Sequence, residues 1–380
     1  ATYGEHLSKE EVEKFVAPSQ ESVDAVNAWL KEVGVSATTI SPAGDWLSVS
    51  IPVSKANELF DADFSVFKHT ETGKEAIRTL SYSIPNELDG HLDFVHPTIT
   101  FPNPRGVRPV ISSPSTKATR KEIDTVEPLA TCSSSSITPS CVLSLYGIPS
   151  TLAKSPSNQL AVSGFLDQFA NQADLTTFLK RFRTDLSSST AFKLQTIDGG
   201  SNPQQGSQAG VEANLDIQYT VGIASGVPTT FISVGDNFQD GHLEGFLDII
   251  NFLLGESNPP QVLTTSYGQN ENTISRPLAT KLCNAYAQLG ARGTSILFSS
   301  GDGGVSGTRP SSQCSKFVPT FPSGCPFVTS VGATRLSGTS SETAASFSSG
   351  GFSNYFGTPS YQSSVVKNYI SSIGTTNSGK

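Results

Sequence analysis

From about residue 140 onward the chain alternates short apolar runs with longer amphipathic ones, and no other feature restricts its fold as much. QLAVSGFL, AFKLQTI, TTFISV, QVLTTS and TSILFSS have the length and β-branched content of buried strands. Between them stand QADLTTFLKRF and helical stretches from Ala209 to about Ser225, from Gly241 to Leu254 and from Ile274 to Leu289. Strand and helix in strict succession predict an α/β fold, with a parallel sheet covered by helices on both faces. In such a sheet, functional residues gather at the carboxyl ends of the strands.

The chain has 380 residues, and at roughly 150 residues per domain that predicts two or three units. Residues 1–102 read as a small α+β unit. Ser8 with Glu11 three residues on is a capping-box signature, and Ser19 precedes a second helix carrying Val23, Val26, Trp29 and Leu30 at helical spacing. WLSVSIPVS, DFSVFKH and AIRTLSYSIP read as strands and SKANELF as a helix, so helices on one antiparallel sheet are expected. Residues 103–130 are rich in Pro, Ser, Thr and charge without periodicity and read as a linker. A small unit tethered ahead of a larger one, 131–380, suggests a removable prosegment with its maturation cut in the linker, an ordinary hinge being the alternative.

A net charge of −8 leaves no basic tract to displace counterions from a phosphate backbone, so nucleic acid is excluded as a partner. No apolar run approaches the ~20 residues of a membrane span. Charged residues are only 15% of the chain, which suits a secreted protein that works in acid, where carboxylates cannot supply solubility. The five cysteines, Cys132, Cys141, Cys283, Cys314 and Cys325, form no C-x-x-C pair and are expected in disulfides, Cys132 and Cys141 being close enough to close a small loop. Their odd number implies a free thiol or a partner elsewhere.

The helix reading GVEANLDIQYTVGIASG is apolar nearly all round, which predicts burial, yet it carries Glu212 and Asp216 four residues apart on one face. Two acids so placed cannot both ionise cheaply and form a candidate acid/base device. Asp302, glycine-flanked at the end of the TSILFSS run, lies where ligands bind in a parallel sheet, although a metal site or a plain turn would read alike. Of the five histidines, His6, His69, His91 and His96 precede the linker, and their protonation could loosen the prosegment in acid. A Ser-His-Asp mechanism would have to rely on the fifth, His242. A carboxylate base is the better expectation in acid, where imidazole is protonated.

VEANLDIQY at 211–219, TTSYGQNE at 264–271, LGARGTSILFSSGDGGVSG at 289–307, PTFPSGCPFVTSVGAT at 319–334 and GGFSNYF at 350–356 together resemble the landmarks of the sedolisins, the serine-carboxyl peptidases. The resemblance implies a subtilisin-like fold and a Ser-Glu-Asp triad in a zymogen, either a tripeptidyl-peptidase or an endopeptidase. Glu212 would be the general base, Asp216 its orienting partner and Asp302 a protonated oxyanion-hole donor. Backbone groups of Ser266, Tyr267 and Gly268 would bind an extended peptide or protein substrate.

The family's Gly-Thr-Ser-Ala-Ser nucleophile segment and calcium loop are not in these residues. The resemblance therefore implies a catalytic domain, 131–380, that is C-terminally incomplete, with the serine and the calcium ligands beyond Lys380. A second polypeptide would be one way to supply them. Ser340, in Gly338-Thr339-Ser340, is a weaker candidate nucleophile. The expected partners are a peptide substrate and the chain's own prosegment as intramolecular inhibitor. The expected location is extracellular, with lysosome or vacuole second. A binding or inhibitory module without turnover is the alternative function, and a carboxylate-only protease is disfavoured because Glu212 and Asp302 lack symmetric surroundings.

Overall fold

The structure is a computed structural model that describes residues 4–70, 73, 75–101, 132–133, 136–238, 240, 243, 245–308, 316–338 and 341–376. The linker at 103–130, His242, Cys314 and Thr339–Ser340 lie outside the described residues.

The first unit opens with α1 (Lys9–Val16), whose Ser8 and Glu11 form the expected capping box, and α2 (Gln20–Glu32), capped by the Ser19 hydroxyl. There follow β1 (Ala37–Thr39), β2 (Leu47–Val49), α3 (Val53–Phe60), β3 (Ser65–Lys68) and β4 (Glu75–Arg78). The strands make two separate antiparallel pairs, β1–β2 and β3–β4, rather than the single sheet expected. Each ladder holds only three or four residues, and after Arg78 the chain turns away so that Thr79 N donates to Thr98 O. The core is instead aromatic, with Trp29, Leu30, Phe60 and Leu88 packed together and the Trp29 and Phe60 rings 6.0 Å apart.

The second unit begins with α4 (Pro139–Leu145), then β5 (Leu160–Gly164), α5 (Gln172–Phe182), β6 (Lys193–Ile197), α6 (Val211–Ile223), β7 (Thr229–Val234) and α7 (Phe246–Gly255). It continues with β8 (Val262–Thr265), β9 (Gln269–Asn270), α8 (Arg276–Ala291), β10 (Ser295–Ser299), β11 (Thr320–Phe321) and β12 (Thr329–Val331). The hairpin β13 (Thr334–Ser337) and β14 (Ser341–Ala344) and α9 (Ser363–Ile373) close the described chain. The sheet runs β12-β10-β8-β5-β7-β6, and every pair in it is parallel. The chain thus enters at β5, fills one side with β6 and β7, then crosses to build β8, β10 and β12 on the other.

Alternate strand residues face opposite layers, as the two-residue repeat requires. Ala161, Ile232, Val234 and Leu263 pack with α7 and α8, while Val162 and Phe231 pack with α5 and α6. Disulfides join Cys132 to Cys141 and Cys283 to Cys325. Among the described residues no helix is long and apolar enough to cross a membrane.

The first unit docks on the α7–α8 face of the second. Leu7 N donates to Ala291 O at 2.9 Å, Lys9 Nζ to Gly255 O at 3.0 Å, and Asp93 pairs with Lys281. Trp46 and Phe94 pack against the main core. His96 Nε2 lies 3.1 Å from the Asp240 carbonyl oxygen. Gly293, at φ +96°, admits the His6 ring, which would stand 2.7 Å from a Cβ there.

Candidate active site

Glu212 and Asp216 stand on α6, which is fixed at its start by polar contacts from α5 and the segment before it. Gly210 N donates to Phe169 O at 2.9 Å and Glu212 N to Gln168 Oε1 at 3.1 Å. Asn214 accepts from Asn171 N at 2.8 Å and donates to Asp174 at 2.7 Å. The helix is not buried all round as its composition predicts. Ala213, Ile217 and Val221 form the buried stripe, but Val211 and Leu215, on another side, are 59% and 49% exposed. An apolar composition cannot distinguish a helix enclosed on all sides from one with an open apolar face.

The structure brings the three predicted acids together from two elements. Glu212 is buried at 6% exposure, and its carboxyl is pushed up to about 8 by burial first and then by the charges of Asp216 and Asp302. Burial pushes Asp216 up to about 6. Ser266, just past β8, donates from Oγ to Asp216 Oδ1 at 3.0 Å, and its hydroxyl also offsets part of the rise at Glu212. Both acids therefore favour the protonated form more than a free carboxyl does, with desolvation the first cause at each.

The side chains of Ser266 and Tyr267 are engaged within the site. The Ser266 side chain serves Asp216, and the Tyr267 ring is 3% exposed, packed 5.1 Å from Phe165. The Tyr267 phenol is pushed upward by burial and by Asp216 and Glu212, so it too faces the acids. Gly268 lies against the Phe321 carbonyl, which a Cβ would meet at 3.0 Å.

Asp302 rides on the loop after β10. Gly301 has φ +103°, and a Cβ there would meet both Ser349 Oγ and Thr320 Cγ2 at 3.0 Å, so the turn requires glycine. Asn270 Oδ1 holds the far end of the loop by accepting from Thr308 N at 2.8 Å.

Two groups escape sequence reasoning. Glu271 is 1% exposed and accepts from Ser353 Oγ and, at 2.7 Å, from Asn354 N, tying TTSYGQNE to GGFSNYF. Its place at the end of the TTSYGQNE motif, in the short turn between β9 and α8, was the available signal. The second group is Asp198, Asp240 and Asp248. Asp240 accepts from Gly245 N at 3.1 Å and Leu247 N at 2.9 Å at the start of α7, and its backbone N donates to Asp248 at 3.3 Å. Burial, with the neighbouring acids, pushes Asp198 up to about 7 and Asp240 to about 8. Asp198 follows β6, Asp240 precedes α7 and Asp248 lies in its first turn, and nothing local marks them as a group. Among the described residues no group of three or more His, Cys, Asp or Glu side chains is arranged to hold a metal ion.

Comparison with known proteins places this geometry in context. Residues 1–101 match the family described as Pro-kumamolisin, activation domain. Over 97% of its length the chain is 36% identical to the probable tripeptidyl-peptidase SED4 of Trichophyton verrucosum, covering 63% of that protein. It is 36% identical to the tripeptidyl-peptidase SED4 of Arthroderma otae, covering 97% of this chain and 62% of that one. The chain therefore spans a little under two thirds of the length of these relatives. The solved structure of a Pseudomonas sedolisin, a serine-carboxyl proteinase complexed with pseudo-iodotyrostatin, aligns with TM-score 0.47 and 23% identity over 60% of this chain and 66% of that one. Sharing more than a third of its residues with these tripeptidyl-peptidases along nearly its whole length, and matching the Pro-kumamolisin activation domain over residues 1–101, the chain belongs to the sedolisin family.

Proposed function

We propose that the complete protein is a secreted serine-carboxyl peptidase zymogen that hydrolyses peptide bonds in acid, removing tripeptides or cutting internally. The observation that carries this reading is the meeting of a buried Glu212 with half-buried Asp216 and Asp302, from α6 and the loop after β10, beside Ser266. The nucleophilic serine would come from residues other than those described. In the forward step its Oγ forms a bond to the substrate carbonyl carbon while its proton passes to Glu212. The carbonyl electron pair moves onto oxygen, where a protonated Asp302 donates a hydrogen bond. Glu212 then returns the proton to the leaving amine as the C–N bond breaks.

The groups that face Glu212 here mostly raise its affinity for a proton. To act as a base in acid it needs a further donor, and the nucleophile's own hydroxyl is the one the reaction supplies. Asp216, kept neutral below pH 6 and held by Ser266, spares Glu212 a second charge. The activation domain, docked on α7 and α8, would be the intramolecular inhibitor. The calcium that the family resemblance implies has no ligand set among the described residues, and no step runs through it. None of these observations favours the non-catalytic binding module.

The test is Glu212→Gln in the full-length protein, assayed in acid with a free-amino tripeptidyl p-nitroanilide and with an N-blocked internally quenched peptide. Loss of turnover on both with an unchanged melting temperature is expected. Turnover at the wild-type rate removes Glu212 from the chemistry, and the substrate that the wild-type protein cleaves separates exo- from endopeptidase.

A further inference from the structure

The motif that ends in GGFSNYF has no role in the chemistry above, yet the residue just before it bonds the Asp302 loop from inside. Ser349 is 7% exposed and makes three hydrogen bonds to that loop. Its backbone N donates to Gly301 O at 2.8 Å. Its Oγ accepts from Gly303 N at 3.1 Å and donates to Gly307 O at 2.6 Å. Gly301 O belongs to the peptide unit before Asp302, and Gly303 N to the unit after it. Both peptide planes that aim the Asp302 side chain are therefore held by one residue. The hydroxyl also bridges the two limbs of the loop, whose Gly303 N reaches Gly307 O at 3.0 Å.

We infer that Ser349 is a positioning residue for the peptidase reaction, holding Asp302 where an oxyanion forms. The inference rests on the proposed oxyanion role of Asp302. A donor to a developing oxyanion acts only within about 2.7–3.1 Å of it, and a misplacement near 1 Å costs on the order of 100-fold in rate. Glycine occupies positions 301, 303, 304 and 307 of this loop, so its backbone cannot hold one conformation unaided. Serine suits the place because a hydroxyl both accepts and donates. Alanine would leave Gly303 N with one partner and Gly307 O without the shorter of its two bonds. Threonine keeps the hydroxyl.

The experiment compares Ser349→Ala, Ser349→Thr, Asp302→Ala and the double variant Ser349→Ala/Asp302→Ala in the full-length protein at its acid optimum. Ser349→Ala should lower kcat about 10- to 100-fold with KM within about twofold, and Ser349→Thr should recover most of that loss. In the Asp302→Ala background, removing Ser349 should change kcat little further, because a positioning effect vanishes with the group positioned. Should alanine at 349 leave the chain unfolded, Ser349→Cys, which keeps the volume but bonds weakly, takes its place with the same expected fall. A Ser349→Ala enzyme with wild-type kcat, or a loss of the same size with and without Asp302, overturns the inference while leaving the chemistry of Glu212 and Asp302 standing. Wild-type kcat in Asp302→Ala instead overturns the oxyanion role and the inference with it.

Discussion

Replacing His96 by Gln should remove most of the acid sensitivity of the contact between the activation domain and the α7–α8 face. In the docked chain the imidazole is pushed down to about 4 from 6.5, first by burial and then by the positive charge of Arg78, while its bond to the Asp240 carbonyl opposes the fall. The groups around it give no relief. Arg78 on β4 remains cationic throughout, its own value lowered only to about 10, and the carboxyls of Asp198 and Asp240 are uncharged in acid. Docking therefore favours neutral imidazole. Its contribution is whole above pH 6.5 and is lost as the pH falls toward 4, where the released domain binds a proton that the docked one resists.

Arg78 belongs to the same unit as His96, so the fall from 6.5 to about 4 sets an upper limit on the docking effect, about 3 kcal/mol at pH 4 or roughly 150-fold in the equilibrium. The assay is amide hydrogen exchange at Leu7, whose N–H is bonded to Ala291 O across the contact. Between pH 7 and pH 4 its protection factor should fall further in the wild type, by up to about 100-fold, than in His96→Gln, which keeps a donor for Asp240 but cannot titrate. The comparison at each pH cancels the other acids of the contact. Equal pH dependence in the two proteins would refute the reasoning.

Asp240→Asn leaves Gly245 N or Leu247 N without its acceptor and should melt below wild type at pH 4, by a margin that shrinks as the pH goes from 4 to 8. A carboxyl raised to about 8 in the fold contributes stability in acid that is lost as the pH climbs through that value. Thermal melts across that range check the slope. Glu271→Gln keeps one acceptor for Ser353 and Asn354 instead of two and should cost about 1–3 kcal/mol in guanidinium unfolding. Ser8→Ala removes one half of the α1 capping box and should cost about 1 kcal/mol in the unfolding of the activation domain, read by far-ultraviolet circular dichroism. Together, the His96 and Asp240 predictions describe a chain whose second unit tightens in acid while its hold on the first unit loosens.

Local pattern was enough to identify most of the elements here. Gln172–Phe182 and Thr229–Val234 begin and end where their periodicity does, because the apolar repeat and the flanking turns are set by neighbours in the chain. The capping box at Ser8 is local for the same reason. The i,i+4 spacing likewise put Glu212 and Asp216 on one face before any fold was known.

What no local pattern holds is the environment of those carboxyls. That Ser266, 50 residues away, bonds Asp216, and that Asp302 bears on Glu212, depend on how β8 and β10 are ordered across the sheet. The same is true of Ser349 at the Asp302 loop and of His96 against Asp240, contacts between residues 46 and 144 apart in sequence. Residue type and spacing thus determined which groups are available for chemistry. Only the tertiary structure decided which of them hold protons, because desolvation depends on everything packed around a group and not on its place in the chain.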